Sequence, residues 1–228
     1  MPLPTFPRFT PVSDHAVLVE FSESLTPEVQ DRVRDLDAAL ALHPLTGLLE
    51  AVPGHVALLV RFEPLVTDHA TVAAGLRQLL ETPPPVRGPG RMHQVPVCYD
   101  ADLAPDLAEI ALRCGMETDA VIAAHLAAEY RVAIYGFAPG YAYLSGVPEG
   151  LHLPRKTSAR RGVAAGSVII AGGQCLITTL TMPTGWWILG QSPLRVLQDD
   201  PDRPFLFDIG DRVQFHRISR GAFDRGAA

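Results

Sequence analysis

The sequence predicts a small α+β domain at residues 1–82 and a mostly-β domain at residues 92–228, joined by a linker at residues 83–91. The segment Thr82–Gly90 contains four prolines and two glycines. It can neither continue a helix nor present the side-chain pattern of a strand. Helix-like and strand-like patterns alternate before this segment, and short, evenly spaced apolar runs follow it.

The first domain begins with a strand, because apolar and polar residues alternate over Val17–Phe21. Pro27 then opens a helix, and Thr26 is the expected N-cap. One face of this helix is apolar: Val29, Val33, Leu36 and Leu40.

Two further strands are predicted at Gly47–Val52 and His55–Phe62, with Pro53-Gly54 as the hairpin turn between them. A second amphipathic helix follows, with an apolar stripe of Val72, Leu76, Leu79 and Leu80. The predicted order is therefore β-α-β-β-α, which suits a small open sheet with helices on one face.

The second domain is expected to begin with a strand at Gln94–Tyr99 and two short helices, the first ending at Gly115. Glycine, proline and serine then separate six apolar runs: Val132–Ile134, Val168–Ile170, Leu176–Leu180, Trp186–Leu189, Leu194–Leu197 and Val213–Phe215. This punctuation is typical of a β-barrel or a β-sandwich.

The amino-acid composition argues against several classes of protein. With 47% hydrophobic residues in 228, the chain is expected to be globular rather than disordered. A net charge of −6 supplies no basic field for nucleic acid or for an anionic membrane surface. Residues Met1–Thr10 lack a signal-peptide pattern, and no run approaches the ~18 apolar residues of a membrane span, so a cytoplasmic location is expected. The three separated cysteines predict neither disulfides nor a metal site.

The most unusual run is Tyr135–Leu144, in which a strand ends at a Pro-Gly turn flanked by aromatic residues. Such a turn can present phenol rings and backbone groups together, but a simple tight turn packed on a core explains the run as well.

Pro154–Gly162 places four cations within seven residues of an otherwise acidic chain. The arginines of this run, Arg155, Arg160 and Arg161, are candidates for holding an anion, because a guanidinium binds carboxylate or phosphate bidentately. A solvated basic loop is the alternative.

Three further groups of residues could serve a site. Gly166 and Ser167 precede a buried strand and Gln174 follows it, so that backbone and amide groups could approach a ligand. Trp186 could line a pocket or an interface. His125 lies on the apolar stripe of a predicted helix, where a structural histidine is more common than a catalytic one. The sequence contains no phosphate loop, dinucleotide fingerprint, nucleophile elbow or zinc helix.

These motifs, taken in order, make the chain resemble the carboxyltransferase subdomain C/D family, which includes the B-type subunit of 5-oxoprolinase, KipI and allophanate hydrolase subunit 1. The matching residues are Gly136-Phe137, Pro139-Gly140-Tyr141, Tyr143-Leu144, Pro154-Arg155, Arg160, Ala165-Gly166-Ser167-Val168, Ala171-Gly172, Gly185-Trp186 and Gly210-Asp211. The chain departs from the family pattern at Ala159, Ala164, Leu176–Leu180 and Met182–Thr184, which bears on substrate identity.

The resemblance implies an α+β domain followed by a cyclophilin-like β-barrel. It also implies an ATP-dependent complex with an A-type subunit and a C-type subunit (KipA or allophanate hydrolase subunit 2-like), which opens 5-oxo-L-proline to L-glutamate with ATP and Mg²⁺. On this basis the expected catalytic residues are His125, Tyr143, Arg155 and Arg160. The expected substrate-binding residues are Phe137, Pro139, Gly140, Tyr141, Gly166, Ser167, Gln174 and Trp186.

Two other functions remain open from the sequence. One is a component of an allophanate hydrolase or a urea-related carboxyltransferase. The other is a non-catalytic, KipI-like inhibitor of a sensor histidine kinase.

Overall fold

A computed structural model describes residues 5–84, 88 and 90–226. The chain forms two compact units, Met1–Gly88 and Pro89–Ala228. Residues 85–87 and 89 of the predicted linker lie outside the described residues.

The first unit combines one antiparallel sheet with two helices. Its elements are β1 (Arg8–Val12), β2 (Ala16–Glu20), α1 (Pro27–Leu42), β3 (Leu48–Pro53), β4 (Ala57–Phe62) and α2 (His69–Glu81). The strand order across the sheet is β1-β2-β4-β3. Strand β1 is absent from the predicted order because Pro11 and the polar residue Thr10 obscure its alternation, and only its pairing with β2 makes it a strand.

Local signals set the helix boundaries in this unit. Thr26 is the N-cap of α1, as predicted, and its Oγ1 accepts a hydrogen bond from the Val29 N–H at 3.3 Å. Asp68 caps α2 in the same way through the Thr71 N–H. The predicted apolar stripes of the two helices pack against the inner face of the sheet, with the core residues Val17, Val19, Phe21, Val33, Leu36, Leu40, Leu58, Val60, Phe62, Val72 and Leu76.

The second unit is mostly β. Its elements are β5 (Met92–Val97), α3 (Leu107–Cys114), α4 (Thr118–Ala127), β6 (Tyr130–Tyr135), β7 (Ala142–Ser145), β8 (Arg160–Val163), β9 (Ser167–Ala171), β10 (Gln174–Ile177), β11 (Met182–Thr184), β12 (Trp187–Gln191), β13 (Arg212–Arg217) and α5 (Arg220–Asp224). Seven of these strands form one sheet in the order β12-β9-β10-β7-β6-β13-β5, and β8 pairs with β11 in a separate ribbon.

The seven-stranded sheet closes almost completely on itself. Beyond the end of β5, the Cys98 N–H donates to the Gln191 carbonyl at 2.8 Å, and the Gln191 N–H donates back at 3.0 Å. Gly190 allows this approach, because a Cβ there would lie 2.7 Å from the Val97 side chain and 2.9 Å from the Cys98 carbonyl oxygen. The two ends of the sheet therefore meet, as in a barrel.

Strand β9 is buried along its whole length because both of its faces are covered. Val168 and Ile170 point into the main core, whereas Ile169 and Ala171 belong to a second cluster on the outer face. This outer cluster is completed by Tyr141, Val163, Leu176, Trp186 and Ile188. The candidate site lies on this outer face.

Two local predictions in the second unit had different outcomes. Gly115 ends α3 in the left-handed conformation, with φ 64°, as predicted. The strand predicted at Leu194–Leu197 is wrong: Leu197 forms only an isolated bridge with Phe205. An apolar run as long as a strand therefore packs here without forming the backbone hydrogen bonds of a sheet. Within the described residues, no helix is both long and apolar enough to span a bilayer.

Candidate functional site

A small cavity of about 120 Å³ opens on the outer face of the barrel sheet. The residues that line it are Phe137, Tyr141, Tyr143, Arg155, Ile169, Leu176, Pro183, Thr184, Gly185 and Trp186. They come from the β6–β7 turn, from β7, β9 and β10, and from the segments around β8 and β11. Five of them were predicted from the sequence as site residues: Phe137, Tyr141, Tyr143, Arg155 and Trp186.

The β6–β7 turn places two aromatic rings at the cavity. The Ala138 N–H donates to the Gly136 carbonyl, and the Tyr141 N–H donates to the Ala138 carbonyl. Phe137 has a positive φ of 70° and remains 80% exposed, with its ring centroid 5.6 Å from that of buried Tyr141. A positive φ is uncommon for a non-glycine residue, and such conformations cluster at active sites and ligand-binding sites.

Tyr143, Trp186 and Arg155 also line the cavity. The rings of Tyr143 and Trp186 meet edge to face, with centroids 5.8 Å apart. The Arg155 guanidinium lies 5.6 Å from the Trp186 ring centroid. Burial raises the pKa of both Tyr141 and Tyr143, so each phenol is neutral near pH 7 and can donate a hydrogen bond.

A buried carboxylate, Asp106, anchors the basic segment that carries Arg155. Its Oδ2 accepts hydrogen bonds from Lys156 Nζ and, at 2.7 Å, from the Ile188 N–H. Its Oδ1 lies 3.3 Å from Arg160 Nη1. Lys156 and Arg160 therefore neutralise a carboxylate of the same chain, and Arg155 is the cation of this segment that lines the cavity.

Trp187 provides a second attachment for the same segment. Its indole Nε1 donates to the Pro154 carbonyl at 2.8 Å, and the Lys156 ammonium lies 5.0 Å from its ring centroid. Asp106 was not predicted from the sequence because its position before α3 resembles an ordinary N-cap. Its side chain makes no capping hydrogen bond and points instead at a segment 50 residues further along the chain.

His125 lies in the main core rather than at this cavity. Its ring is fully buried, its Nδ1 lies 2.8 Å from the Tyr99 hydroxyl, and it stacks on Phe215 with centroids 4.5 Å apart. Burial lowers the pKa of His125 to about 3, so the imidazole is neutral under ordinary conditions. The part in proton transfer proposed for it from the sequence stays a prediction.

Other predicted residues are occupied by contacts within the chain. The Gly166 N–H donates to the Thr178 carbonyl at 2.7 Å, and the Ser167 N–H donates to Thr178 Oγ1 at 2.9 Å. Gly166 lines a different cavity of about 320 Å³, together with Thr178. Gln174 pairs with Ser145 in the sheet.

Contacts at Pro139 and Gly140 fix the shape of the β6–β7 turn. The Pro139 carbonyl accepts a hydrogen bond from Thr179 Oγ1 at 2.7 Å. Gly140 is buried with φ 70°, and a Cβ there would lie 2.8 Å from the Leu197 side chain. These two residues fix the path of the backbone that presents Phe137 and Tyr141.

The geometry supports binding of a small, flat anion. Aromatic rings and aliphatic side chains cover the walls, two neutral phenols supply hydrogen bonds, and the Arg155 fork can pair with a carboxylate. The volume is below the roughly 300 Å³ at which pockets for drug-sized ligands begin.

Comparisons with known proteins agree over most of the chain. Residues 7–207 match the model of the carboxyltransferase domain, subdomain C and D, family. The B-type subunit of 5-oxoprolinase from Bacillus subtilis (strain 168) is 31% identical over 222 residues, which cover 91% of this chain and 91% of the relative. The protein of the same name from Escherichia coli O157:H7 is 33% identical, covering 90% of this chain and 93% of the relative.

Solved structures show the same similarity. The crystal structure of TTHA0988 superposes with a TM-score of 0.78 at 34% identity and covers 90% of this chain. This chain corresponds to only 40% of the TTHA0988 chain. The urea amidolyase of K. lactis superposes with a TM-score of 0.76 at 16% identity over 15% of its length, a likeness that shows the fold alone.

Proposed function

The chain belongs to the carboxyltransferase domain, subdomain C and D, family, and from this membership we propose that it is a subunit of a 5-oxoprolinase complex. The observation that carries the proposal is the similarity, over about nine-tenths of both chains, to proteins named as the B-type subunit of 5-oxoprolinase. The contribution of this chain to the complex is to bind the substrate at the outer cavity.

The chemistry of 5-oxo-L-proline suits this cavity. The molecule is a five-membered lactam that carries one carboxylate. Its ring carbons fit against Tyr143 and Trp186, and its carboxylate pairs with the Arg155 guanidinium at the rim. A neutral phenol, such as that of Tyr141, donates a hydrogen bond to the lactam carbonyl oxygen.

We place ATP and its Mg²⁺ on another subunit. At about 120 Å³, with a single arginine, the cavity fits a small lactam acid but not a nucleoside triphosphate. ATP would supply the driving force for opening a lactam, whose carbonyl carbon is a poor electrophile. Residues of this chain bind the lactam and orient it.

The partners in the proposal are an A-type and a C-type subunit. Support comes from the open rim of the cavity, where the Phe137 ring is 80% exposed and a second surface would complete the site. A complex that consumes ATP works where ATP is abundant, so we place it in the cytoplasm. We further propose that the first unit is an α+β domain and that the second, with its almost closed sheet, is a cyclophilin-like barrel.

The test is to co-express the chain with candidate A-type and C-type subunits and to measure ATP-dependent release of L-glutamate from 5-oxo-L-proline. We expect release only when all the subunits are present. A complex that assembles but turns over urea-derived substrates in place of the lactam would refute the proposal. So would a chain that captures a sensor histidine kinase and inhibits it, with no lactam hydrolysis in any combination.

The role of Arg155 is tested in the same assay with Arg155→Ala. The loss of a charge-assisted hydrogen bond of about 1.5–3 kcal/mol should raise KM roughly tenfold to a hundredfold while the complex still assembles. Arg161→Ala is the matched control, because Arg161 is an exposed arginine of β8 in the same basic segment and does not line the cavity. Equal KM values for the two variants would remove Arg155 from the site.

A further inference from the structure

The first unit contains a larger cavity, of about 490 Å³, which the proposed function does not use. We call it the helix cleft. It is lined by Pro7, Phe9, Arg32, Asp35, Leu36, Ala39, Arg77, Leu79, Leu80, Glu81, Thr82 and Pro84. These residues belong to α1, to α2 and the segment that follows it, and to the chain around β1. The volume lies within the range typical of small-molecule sites.

The cleft combines an apolar floor with charges of both signs. Leu36 and Ala39 of α1 are buried at its base, and Leu79 of α2 packs against the same core. The charged side chains of Arg32, Arg77 and Glu81 line the cleft around this floor. A cleft of this composition is complementary to a ligand that carries a positive charge, a negative charge and an apolar group.

Arg77 of α2 does not pair with Glu81, although the spacing of the two residues would allow it. Arg77 and Glu81 are four residues apart on α2, a separation at which oppositely charged side chains usually pair. Elsewhere in the chain this spacing does produce ion pairs: Glu109–Arg113, Arg195–Asp199 and Arg220–Asp224. Within the described part of the chain, neither Arg77 nor Glu81 forms an ion pair.

Aromatic rings hold both arginines in place. The Arg77 guanidinium lies 4.4 Å from the centroid of the Phe9 ring, and that of Arg32 lies 4.9 Å from the Phe21 ring. Stacking orders a guanidinium while leaving its edge N–H groups available for an acceptor such as a carboxylate. An ordered donor loses little side-chain entropy when it binds a ligand.

The carboxyl end of α2 favours a positively charged group. Glu81 is its last residue, and the carboxyl end of a helix carries a partial negative charge from its carbonyl groups. Thr82 satisfies only the Leu79 carbonyl, which accepts from both its N–H and its Oγ1. An ammonium group is therefore favoured beside Glu81, one helical turn from the Arg77 guanidinium.

From this arrangement we propose that the helix cleft binds a free α-amino acid with an apolar side chain. The carboxylate pairs with Arg77 and Arg32, the ammonium lies beside Glu81, and the side chain packs on Leu36 and Leu79. This site is independent of the lactam cavity and requires no partner subunit.

The first experiment is calorimetric titration of the full chain near pH 7 with L-leucine and L-phenylalanine. Two analogues each remove one charge: 3-methylbutylamine lacks the carboxylate, and 4-methylpentanoate lacks the ammonium. We expect at least one amino acid to bind and each analogue to bind about tenfold more weakly or worse. Equal binding of either analogue, or no binding of either amino acid up to about 10 mM, overturns the proposal.

The second experiment locates the site with Arg77→Gln and Glu81→Gln. Each should weaken amino acid binding about tenfold, since each removes one charged hydrogen-bonding partner. Arg61→Gln is the control, because Arg61 lies on β4 of the same unit and pairs with Glu50 away from the cleft. Thermal unfolding verifies that all three variants are folded. Unchanged affinity in both cleft variants would also overturn the proposal.

Discussion

Asp106 should be among the most costly polar residues of the second unit to replace. Asp106→Asn keeps the size of the side chain and an acceptor for the Ile188 N–H, but it removes the charge that neutralises Lys156 and Arg160. The Lys156 side chain is only 15% exposed and that of Asp106 only 7%. Removing one member of a buried ion pair costs about 3–5 kcal/mol, so we expect a loss near the lower bound, about 3 kcal/mol.

Urea unfolding followed by tryptophan fluorescence measures this loss directly. Both tryptophans lie in the second unit, and Lys156 stacks on one of them, Trp187. In the Asp106→Asn background, Lys156→Met should restore at least about 1 kcal/mol, because it removes the unpaired ammonium. Asp102→Asn is the control: its carboxylate is 62% exposed and pairs with Arg220 at the surface, so its loss should be small beside that of Asp106→Asn. Equal losses for Asp106→Asn and Asp102→Asn would refute the reasoning.

Three further outcomes are expected. Gly190→Ala should destabilise the second unit by about 1–3 kcal/mol through overpacking and speed amide exchange at Cys98 and Gln191; unchanged exchange would contradict the closure of the barrel. Burial opposes ionisation of Asp211, but hydrogen bonds from the Asp208 N–H, the His93 ring and the Arg91 N–H lower its pKa below the ordinary 3.8. Asp211→Asn should therefore lose its full share of stability above about pH 3.8, and this loss should vanish as the pH falls through the folded-state pKa of Asp211. Unfolding measured at a series of pH values tests this. His125→Phe should leave kcat of the assembled complex unchanged, because His125 lies in the main core whereas the cavity opens on the outer face. A large fall in kcat would show that His125 takes part in catalysis.

Local chemistry explains what could be predicted correctly. The Thr26 cap depends on residues within one helical turn, and the Gly115 cap depends on a single positive φ. The Tyr135–Leu144 run identified a wall of the cavity for the same reason, since its aromatic residues and its Pro-Gly turn are contiguous. The missed strand β1 and the wrong strand at Leu194–Leu197 show the limit of local patterns, because pairing with another segment decides whether an extended run becomes a strand.

By itself, the sequence determined helices α1 to α4, most of the strands and the aromatic turn, because periodicity, caps and turn residues act over a few positions. The tertiary structure decided which cations are available for a ligand. Arg155 and Arg160 are indistinguishable in the basic segment, and only the approach of Asp106, which precedes Lys156 by 50 residues, occupies Lys156 and Arg160 while Arg155 remains at the cavity. Contacts between distant segments are set by how the barrel closes and by which faces it buries, and short-range patterns carry no record of either.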